Sequence, residues 1–361
     1  MDPYLLLAVA EGCGPGMVAD LLDPELDADR ALVAPPPLPR AAAGRLRSPE
    51  LRSTAQAWLD RAADHGLAVV TPADPSYPER LRHAPLRPNA LFVRGPVELL
   101  AAERPRIAIV GSRTLTAYGD GATRDFAGAA ARAEIVIASG LAYGVDALAH
   151  HAAIEHDVPT VAVLAGGLDR IYPARHAALA DEIVRRGGVL LAETPPGVRA
   201  QRGHFPRRNR ILAGLAHAVL VVEAGLKSGS LHTARFAADY GVPVFAVPGP
   251  YTSPRSLGCH AIIANGAQIA VSPEELLREL GVAEAMQDPG ADERRLECSA
   301  DEEAVLRVLR EGPRPTDLVA REAGLATGAF LVAVTKLREK GRVRSLPGDQ
   351  LVYASTPGVS R

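Results

Sequence analysis

The sequence predicts a doubly wound parallel α/β sheet, flanked by a small helical domain and a winged-helix domain. Six short apolar runs recur between residues 107 and 247, and Ala-rich stretches of helical length separate most of them. Continuous apolar runs are typical of parallel strands that are covered on both faces. Alternation of strands with helices indicates right-handed crossovers. We therefore expect four parts in the chain: residues 1–66, 67–280, 281–303 and 304–361.

Composition narrows the class of protein. The chain has 361 residues, enough for two or three domains, and 47% of them are hydrophobic while only 4% are aromatic. Because the formal net charge is −2, any anion site must be a local cluster of cations. Three cysteines without pairing or metal-ligand spacing fit a reducing compartment. We expect a cytoplasmic location, since no run approaches the ~18 apolar residues of a membrane span and no signal-peptide pattern is visible.

The first 66 residues predict a small helical domain. Apolar runs at 4–9 and 17–22 flank the glycine-rich turn Gly12–Gly16, and Pro35–Pro37 marks a rigid break. SAM-like and helix–hairpin–helix modules have such turns, whose amides can contact a phosphate, although two packed helices explain the same pattern. After this domain come strands at 67–71 and 91–94 and a short helix at 76–82.

The regular part of the chain begins at residue 106. Strands are expected at 107–110, 135–139, 160–165, 189–193, 219–223 and 244–247. Helices are expected at 123–132, 145–156, 176–186 and 231–240.

Glycine-rich turns follow the carboxyl ends of most of these strands. In such sheets, ligands bind beyond the carboxyl ends of the strands. Glycines let a ligand approach the backbone, and helix N-termini offer unpaired N–H groups to anions. Arg113 and Lys227 would add positive charge to the same edge. The turns are Gly111–Arg113, Ser139–Gly144, Gly166–Gly167, Gly225–Ser230 and Pro248–Gly249.

The most informative stretch is Arg199–Arg210. It contains five arginines, one histidine and one phenylalanine, and it has no acid. It lies between the apolar runs 188–193 and 218–223, where a strand ends and the next helix begins. Guanidinium groups suit phosphate oxygens, and an exposed Phe205 can stack on a base. A solvated basic loop would have the same composition, but the position on the sheet favours a nucleic-acid site.

Two cofactor motifs are absent. Thr116 occupies the last glycine position of a dinucleotide fingerprint that starts at Gly111. The stretch 225–228 has no glycine before Lys227, so it is not a Walker A loop. We therefore expect no ATP, no NAD and no other cofactor.

Catalysis is poorly supported as well. Ser230 with His232, or Asp146 with His150 and His151, could be drawn as nucleophile and base. Asp146 and His150 are four residues apart and share a helix face, so a polar contact with a neighbouring element is the simpler interpretation. Acids at strand ends, such as Glu193 and Glu223, could bind ribose or orient arginines. With no metal-ligand spacing visible, we predict a binding protein rather than an enzyme.

The C-terminal part differs in composition. Residues 281–303 hold eight acids against two arginines, which predicts a linker. Helices at 304–310, 316–323 and 328–340, the second capped by Thr316, precede a hairpin of 342–346 and 350–353. Three helices followed by a two-stranded wing are typical of a winged helix, which can contact DNA or protein.

Several motifs occur in an order that resembles the DNA-processing protein A (DprA/Smf) family. The resemblance is strong over residues 67–280 and weaker in the helical front and the winged-helix tail. Each motif is weak alone, but the ordered set is specific. The motifs are Tyr77-Pro78, Leu91–Gly95, Ile109–Arg113 with Tyr118-Gly119, Ser139–Asp146 with Ala149-His150, Gly167–Asp169 with Tyr172-Pro173, Phe205–Ile211, Ser228–Ser230 and Pro248-Gly249.

This resemblance implies an extended Rossmann-like domain that binds single-stranded DNA and dimerises. It also implies that the protein protects incoming DNA, helps to load the recombinase RecA during natural transformation and recombination, and interacts with single-strand-binding protein. The implied DNA-binding residues are Ser112, Arg113, Gly140, Gly166, Phe205, Arg207, Arg208, Asn209, Arg210, Lys227, Ser228, Gly229 and Ser230.

Two other functions are compatible with parts of the pattern. Rossmann-fold nucleotide hydrolases of the phosphoribohydrolase type also place glycine-rich turns, arginines and acids at strand ends, but they carry a Pro-Gly-Gly-x-Gly-Thr-x-x-Glu loop that this chain lacks. A transcriptional regulator that acts through the winged helix would instead bind duplex DNA with sequence specificity.

Overall fold

The computed structural model describes residues 2–9, 49–281, 298–310, 312–339, 342–346 and 349–353. The chain divides into two compact units, Met1–Leu280 and Gly281–Arg361. The predicted turn Gly12–Gly16, the run at 17–22, the break at Pro35–Pro37 and most of the predicted acidic linker lie outside the described residues.

Among the described residues, the first unit contains a nine-stranded sheet with helices between most of its strands. Its strands are β1 (Ala68–Val70), β2 (Leu91–Arg94), β3 (Arg106–Val110), β4 (Val136–Ser139), β5 (Thr160–Leu164), β6 (Val189–Ala192), β7 (Ala218–Val221), β8 (Val244–Ala246) and β9 (Gln268–Ile269). Its helices are α1 (Pro3–Val9), α2 (Pro49–Asp64), α3 (Glu79–Arg82), α4 (Glu98–Ala101), α5 (Ala117–Arg132), α6 (Val145–Glu155), α7 (Ala177–Arg185), α8 (His204–Leu215), α9 (Ser230–Asp239), α10 (Leu257–Ala264) and α11 (Pro273–Glu279). A single 3₁₀ turn, Ala174–His176, precedes α7.

The strand order is β1-β2-β6-β5-β4-β3-β7-β8-β9. All pairs from β6 to β9 are parallel, whereas β1 and β2 join one edge as antiparallel strands. The prediction of a doubly wound, mostly parallel sheet is therefore confirmed. Because β3 pairs with both β4 and β7, the direction of winding reverses there. In such sheets a crevice opens at the carboxyl ends of the two strands on either side of the reversal, which are β3 and β7 here.

Two apolar layers cover the sheet on opposite faces. Val161 and Val163 of β5 pack in one cluster with Ile211 of α8, whereas Ala162 and Leu164 pack in another with α7. Successive side chains of a strand point to opposite faces, so a strand between two layers is expected to be apolar along most of its length. All residues of β3 to β7 are buried, and all but Arg106, Ser139 and Thr160 at strand ends are apolar, which explains why their sequences read as apolar runs.

Helix α5 begins six residues before its predicted start at residue 123. Thr116 is its N-cap, and the Thr116 hydroxyl accepts a hydrogen bond from the N–H of Gly119 at 3.0 Å. Glu223, which follows β7, accepts bonds from the Thr116 N–H and hydroxyl at 3.1 and 2.9 Å. The cap is therefore fixed by a residue more than one hundred positions away, and local pattern could not locate it.

The second unit has the predicted winged-helix order. Its elements are α12 (Ala300–Leu309), β10 (Arg314–Pro315), α13 (Thr316–Glu322), α14 (Thr327–Glu339), β11 (Val343–Leu346) and β12 (Gln350–Tyr353). The short strand β10 pairs with β12 and adds a third strand to the predicted hairpin. The capping prediction was wrong: Thr316 is the first residue of α13, and its hydroxyl bonds the carbonyl of Asp349 at 2.9 Å.

No single helix among the described residues is long and apolar enough to cross a membrane. Helices α13 and α14, which meet at 112°, reach the required length and apolarity only when they are taken together as a bent pair.

His150 shows how completely this core excludes water. Its ring is fully buried, and its Nδ1 lies 2.8 Å from the hydroxyl of Thr160. That hydroxyl donates its single proton to the carbonyl of Ile137, so Nδ1 of His150 must donate to the hydroxyl. Nε2 is buried without a partner in the described part of the chain. Burial lowers the pKa of His150 to about 3, because a protonated ring would place an unpaired charge in the core.

We expect the free energy of unfolding to fall as the pH is lowered from about 6.5 to about 3, between the unfolded and folded pKa values of His150. Below the ordinary histidine pKa of about 6.5, His150 binds a proton in the unfolded chain but not in the folded protein. This difference lowers the free energy of unfolding by up to about 1.4 kcal/mol per pH unit. The loss continues until the pH reaches the folded pKa of about 3. His150→Asn keeps a donor for Thr160 and removes this titration, so denaturant unfolding should show a shallower pH slope. His65→Asn, at an exposed histidine, should keep the parental slope; equal slopes in all three proteins would contradict the assignment.

Candidate nucleic-acid interface

Arg113 and Phe205 come from different parts of the chain and meet at the crevice. Arg113 follows β3, and its side chain is exposed. Its guanidinium carbon lies 5.5 Å from the centroid of the Phe205 ring, which is within the range of a cation–π contact. Phe205 is half-buried and lies near the start of α8. The two groups predicted to bind a nucleic acid are therefore in contact with each other at the surface.

A third aromatic ring completes this surface. Tyr172 lies in the loop before α7, and its ring is edge-on to Phe205 with centroids 5.9 Å apart and planes at 69°. The Tyr172 side chain is 56% exposed. The sequence offered Tyr172-Pro173 as a motif but gave no reason to connect it with Phe205, because 33 residues separate the two rings. Only the fold brings them together.

A cavity of about 400 Å³ lies at the winding reversal between β3 and β7. Seven of the predicted site residues line it: Arg113, Phe205, Arg208, Asn209, Ser228, Gly229 and Ser230. The hydroxyls of Ser228 and Ser230 are 2.7 Å apart at the start of α9. Thr233 also lines the cavity, and its hydroxyl oxygen is buried without a partner in the described part of the chain. The cavity therefore combines an exposed cation, a ring and hydroxyl groups.

The basic stretch differs from its predicted form. Phe205–Arg210 is not a loop, because α8 begins at His204 and continues to Leu215. Arg207 is exposed, but Arg208, Asn209 and Arg210 are only 7%, 7% and 2% exposed. The arginines of this stretch were expected to contact phosphates together, but of Arg207, Arg208 and Arg210 only Arg207 is exposed. The side chains of Arg208, Asn209 and Arg210 make hydrogen bonds or ion pairs within the protein.

Arg208 is held by backbone carbonyls. Its NH1 group donates to the carbonyl of Gly140 at 2.7 Å and to that of Val163, and its Nε donates to Asn209 Oδ1 at 3.1 Å. A Cβ on Gly140 would lie 2.2 Å from this guanidinium. Gly140 therefore makes room for Arg208 and does not line the cavity. Burial lowers the pKa of Arg208 to about 10.

Asp146 balances this buried cation and shapes the turn after β4. Its Oδ2 accepts the N–H groups of Gly140 at 3.1 Å and Ala142 at 3.3 Å. Between them, Leu141 has φ of 57°, a left-handed conformation that side chains other than Gly rarely adopt. Burial raises the pKa of Asp146, and the Arg208 guanidinium and both N–H groups oppose the rise. The predicted polar contact with a neighbouring element is made by His150, through Thr160 of β5, whereas Asp146 bonds the turn that precedes its own helix.

Arg210 is paired with an acid from β6's carboxyl end. Its NH2 group lies 2.5 Å from Glu193 Oε1, while Arg207 approaches Oε2 of the same carboxylate at 3.7 Å. Glu193 thus orients arginines, one of the two roles considered for it. Asn209 donates from Nδ2 to the carbonyl of Gly229 at 3.0 Å and ties α8 to the turn before α9.

The remaining predicted residues follow the carboxyl ends of β3, β5 and β7 but do not line this cavity. Ser112 donates its hydroxyl to the carbonyl of Thr114 at 2.7 Å. A Cβ on Gly166 would be 2.8 Å from the backbone nitrogen of Ala200, so this glycine permits close packing of two loops. Lys227 is exposed beside the turn that holds Ser228. Among the described residues, no three or more His, Cys, Asp or Glu side chains are grouped so that they could hold a metal ion.

Comparison with known proteins agrees with this architecture. Residues 68–281 match the family described as DNA recombination-mediator protein A, and residues 287–349 match the DprA winged helix domain. The chain is 38% identical over 297 residues to protein Smf of Escherichia coli, covering 81% of this chain and 78% of that protein. It is 41% identical over 241 residues to a putative DNA processing protein DprA of Mycobacterium tuberculosis, covering 62% of each.

Solved structures show the same relationship. The X-ray structure of DNA processing protein A from Streptococcus pneumoniae has a TM-score of 0.63 and 31% identity, over 77% of this chain and 98% of that one. A second solved structure is that of DNA processing protein A from Helicobacter pylori. It is described as giving insight into that protein's single-stranded DNA binding mode. It has a TM-score of 0.52 and 29% identity, over 59% of this chain and 95% of that one. The chain therefore belongs to the DNA recombination-mediator protein A (DprA/Smf) family.

Proposed function

We propose that this chain binds single-stranded DNA in the crevice between β3 and β7, with Phe205 stacking on a base and Arg113 contacting the backbone. The observation that carries the proposal is the contact between the exposed Arg113 guanidinium and the half-exposed Phe205 ring, with Tyr172 beside it. Unpaired bases expose the faces that aromatic rings bind, whereas bases in a duplex are stacked on each other. The single-stranded DNA-binding mode described for the Helicobacter pylori relative supports the same function.

The proposed electrostatic contribution is smaller than the sequence implied. Three of the predicted cations remain exposed near the crevice, namely Arg113, Arg207 and Lys227, while Arg208 and Arg210 are buried. Each phosphate contact to a single strand steepens the dependence of log K on log salt by ~0.7. Three contacts would give a slope of roughly −2, so stacking must supply much of the affinity.

Single substitutions should separate the two contributions. Phe205→Ala should weaken binding of an oligothymidylate by the free energy of one stacked base, ~1–3 kcal/mol, with an unchanged salt slope. Arg113→Ala should weaken binding and also make the salt slope shallower by ~0.7. Fluorescence anisotropy over a range of salt concentrations measures both quantities.

Arg235→Ala is the matched control, because that side chain is 83% exposed on α9 and makes only a 4.0 Å ion pair with Asp239. It should bind like the parent protein. Parental affinity in both Phe205→Ala and Arg113→Ala would exclude this crevice as the DNA site. Release of free base from nucleoside monophosphates would favour a nucleotide hydrolase instead.

The wider role that we propose follows from family membership. The protein would act in the cytoplasm as a homodimer, protect incoming single strands, and help to load RecA in the presence of single-strand-binding protein during natural transformation. This role includes no enzymatic step and no cofactor. Loading is tested by the rate at which RecA covers DNA already coated with single-strand-binding protein. That rate should rise with this protein and should not rise with the Phe205→Ala variant.

A further inference from the structure

A second cavity lies on the same edge of the sheet. It has a volume of about 350 Å³ and is bounded by α1, α2, the carboxyl ends of β5 and β6, and the first turns of α8. Arg208 lines both this cavity and the one beside Arg113, so α8 contributes to both. Small-molecule sites commonly have volumes of about 300–1,000 Å³. None of the DNA-binding residues predicted from sequence, apart from Arg207 and Arg208, lines this second cavity.

The cavity contains a buried amide with an unused hydrogen-bonding atom. Asn89 lines it and is only 6% exposed, and its Oδ1 has no partner among the described residues. Nδ1 of His204, another lining residue, is also buried without a described partner. Buried polar groups in folded proteins are nearly always hydrogen-bonded, so unpaired ones need an explanation such as a ligand or ordered water. Two such atoms in one cavity indicate a polar occupant.

The other walls indicate an occupant that is also flat and anionic. Trp58 lines the cavity and is held edge-to-face against Phe92, with ring centroids 6.1 Å apart. Arg207 lines the cavity and exposes 55% of its side chain. The carboxylate of Glu193 is already paired with Arg210, so it does not leave the cavity with an unbalanced negative charge. Water alone would not require an indole wall, whereas an aromatic ring with polar edges would benefit from both the indole and the amide.

We propose that this second cavity binds one nucleotide, with the base beside Trp58 and hydrogen-bonded to Asn89, and with the phosphate near Arg207. The nucleotide has two chemically equivalent sources. A free mononucleotide would make the cavity an independent site. A nucleotide of the bound single strand would make it an extension of the crevice, and in that case the inference rests on the proposed function.

Trp58 provides a direct test because it is the only tryptophan in the chain. Its fluorescence, excited beyond the absorption of adenine, reports on this cavity alone. Titration of the full-length protein with deoxyadenosine monophosphate should quench the fluorescence saturably. Asn89→Leu should raise the apparent Kd about tenfold, and Arg207→Gln should raise it as well. Asn265→Leu, the same change at an exposed asparagine on α10's C-terminus, should leave it unchanged.

The Phe205→Ala variant distinguishes the two sources. If quenching by the mononucleotide survives in this variant, the cavity is an independent nucleotide site, whether or not the crevice binds DNA. If only an oligothymidylate quenches Trp58, and both Phe205→Ala and Asn89→Leu weaken that quenching, the occupant is a nucleotide of the strand. Anisotropy of a labelled oligonucleotide reports separately on the crevice. Absence of quenching by either probe, or equal quenching in the parent, Asn89→Leu and Arg207→Gln proteins, would overturn the proposal.

Discussion

Replacing Arg208 with methionine is expected to lower the free energy of unfolding by about 3–5 kcal/mol, the usual cost of removing one partner from a buried charged network. The substitution leaves the carbonyls of Gly140 and Val163 without their donor. It also removes the guanidinium that opposes the raised pKa of Asp146. Denaturant unfolding, followed by circular dichroism, measures the loss.

The pH dependence of this loss identifies its cause. Without Arg208, the pKa of Asp146 should rise further, so the folded variant resists ionisation of that carboxyl. A raised acid pKa costs no stability below the unfolded value of about 3.9; the cost grows as the pH rises above that value and is complete once the pH exceeds the folded pKa. The gap in stability between variant and parent should therefore narrow as the pH falls from about 7 toward about 4.

Arg207→Met is the matched control for Arg208→Met. Arg207 is the preceding residue, is exposed, and makes only a 3.7 Å approach to Glu193. Its replacement should change stability by less than about 1 kcal/mol. If Arg208→Met were instead as stable as the parent and merely weakened DNA binding, Arg208 would be a DNA ligand, as the sequence first suggested.

Glu193→Leu is expected to destabilise the protein more than Arg210→Leu does. Arg210 is 2% exposed, and Glu193 is its only ion-pair partner in the described part of the chain. Losing the acid therefore leaves a buried cation without its partner. Losing Arg210 leaves Glu193 with Arg207 and with partial access to water. The first change should cost about 3 kcal/mol and the second clearly less.

The double variant Glu193→Leu/Arg210→Leu provides the decisive comparison. Replacing both members of a buried pair by apolar residues often costs little, because no unpaired charge remains. The double variant should therefore be more stable than Glu193→Leu alone in the same denaturant titration. A simple sum of the two single losses would show that the pair is not energetically coupled.

Local sequence pattern predicted the framework well. Strands β3 to β7 lie within one or two residues of their predicted bounds, because burial on both faces favours apolar residues along the whole strand. The start of α5 was missed because Thr116 acts as its cap while bonded to Glu223, on a distant turn. Strands β1 and β2 were also predicted, whereas the two-residue edge strand β9 was not, and the antiparallel pairing of β2 with β6 leaves no local signal.

The sequence by itself determined the order of strands and helices, and hence that glycine-rich turns, Arg113 and Phe205 would collect at the carboxyl edge of a parallel sheet. Only the tertiary structure decided which arginines face solvent. Arg207 and Arg208 are neighbours of the same chemical type, yet one is exposed and the other is buried against Gly140 and Val163. A guanidinium can be buried only where acceptors surround it, and those acceptors come from segments 45 and 68 residues away, which no local pattern encodes.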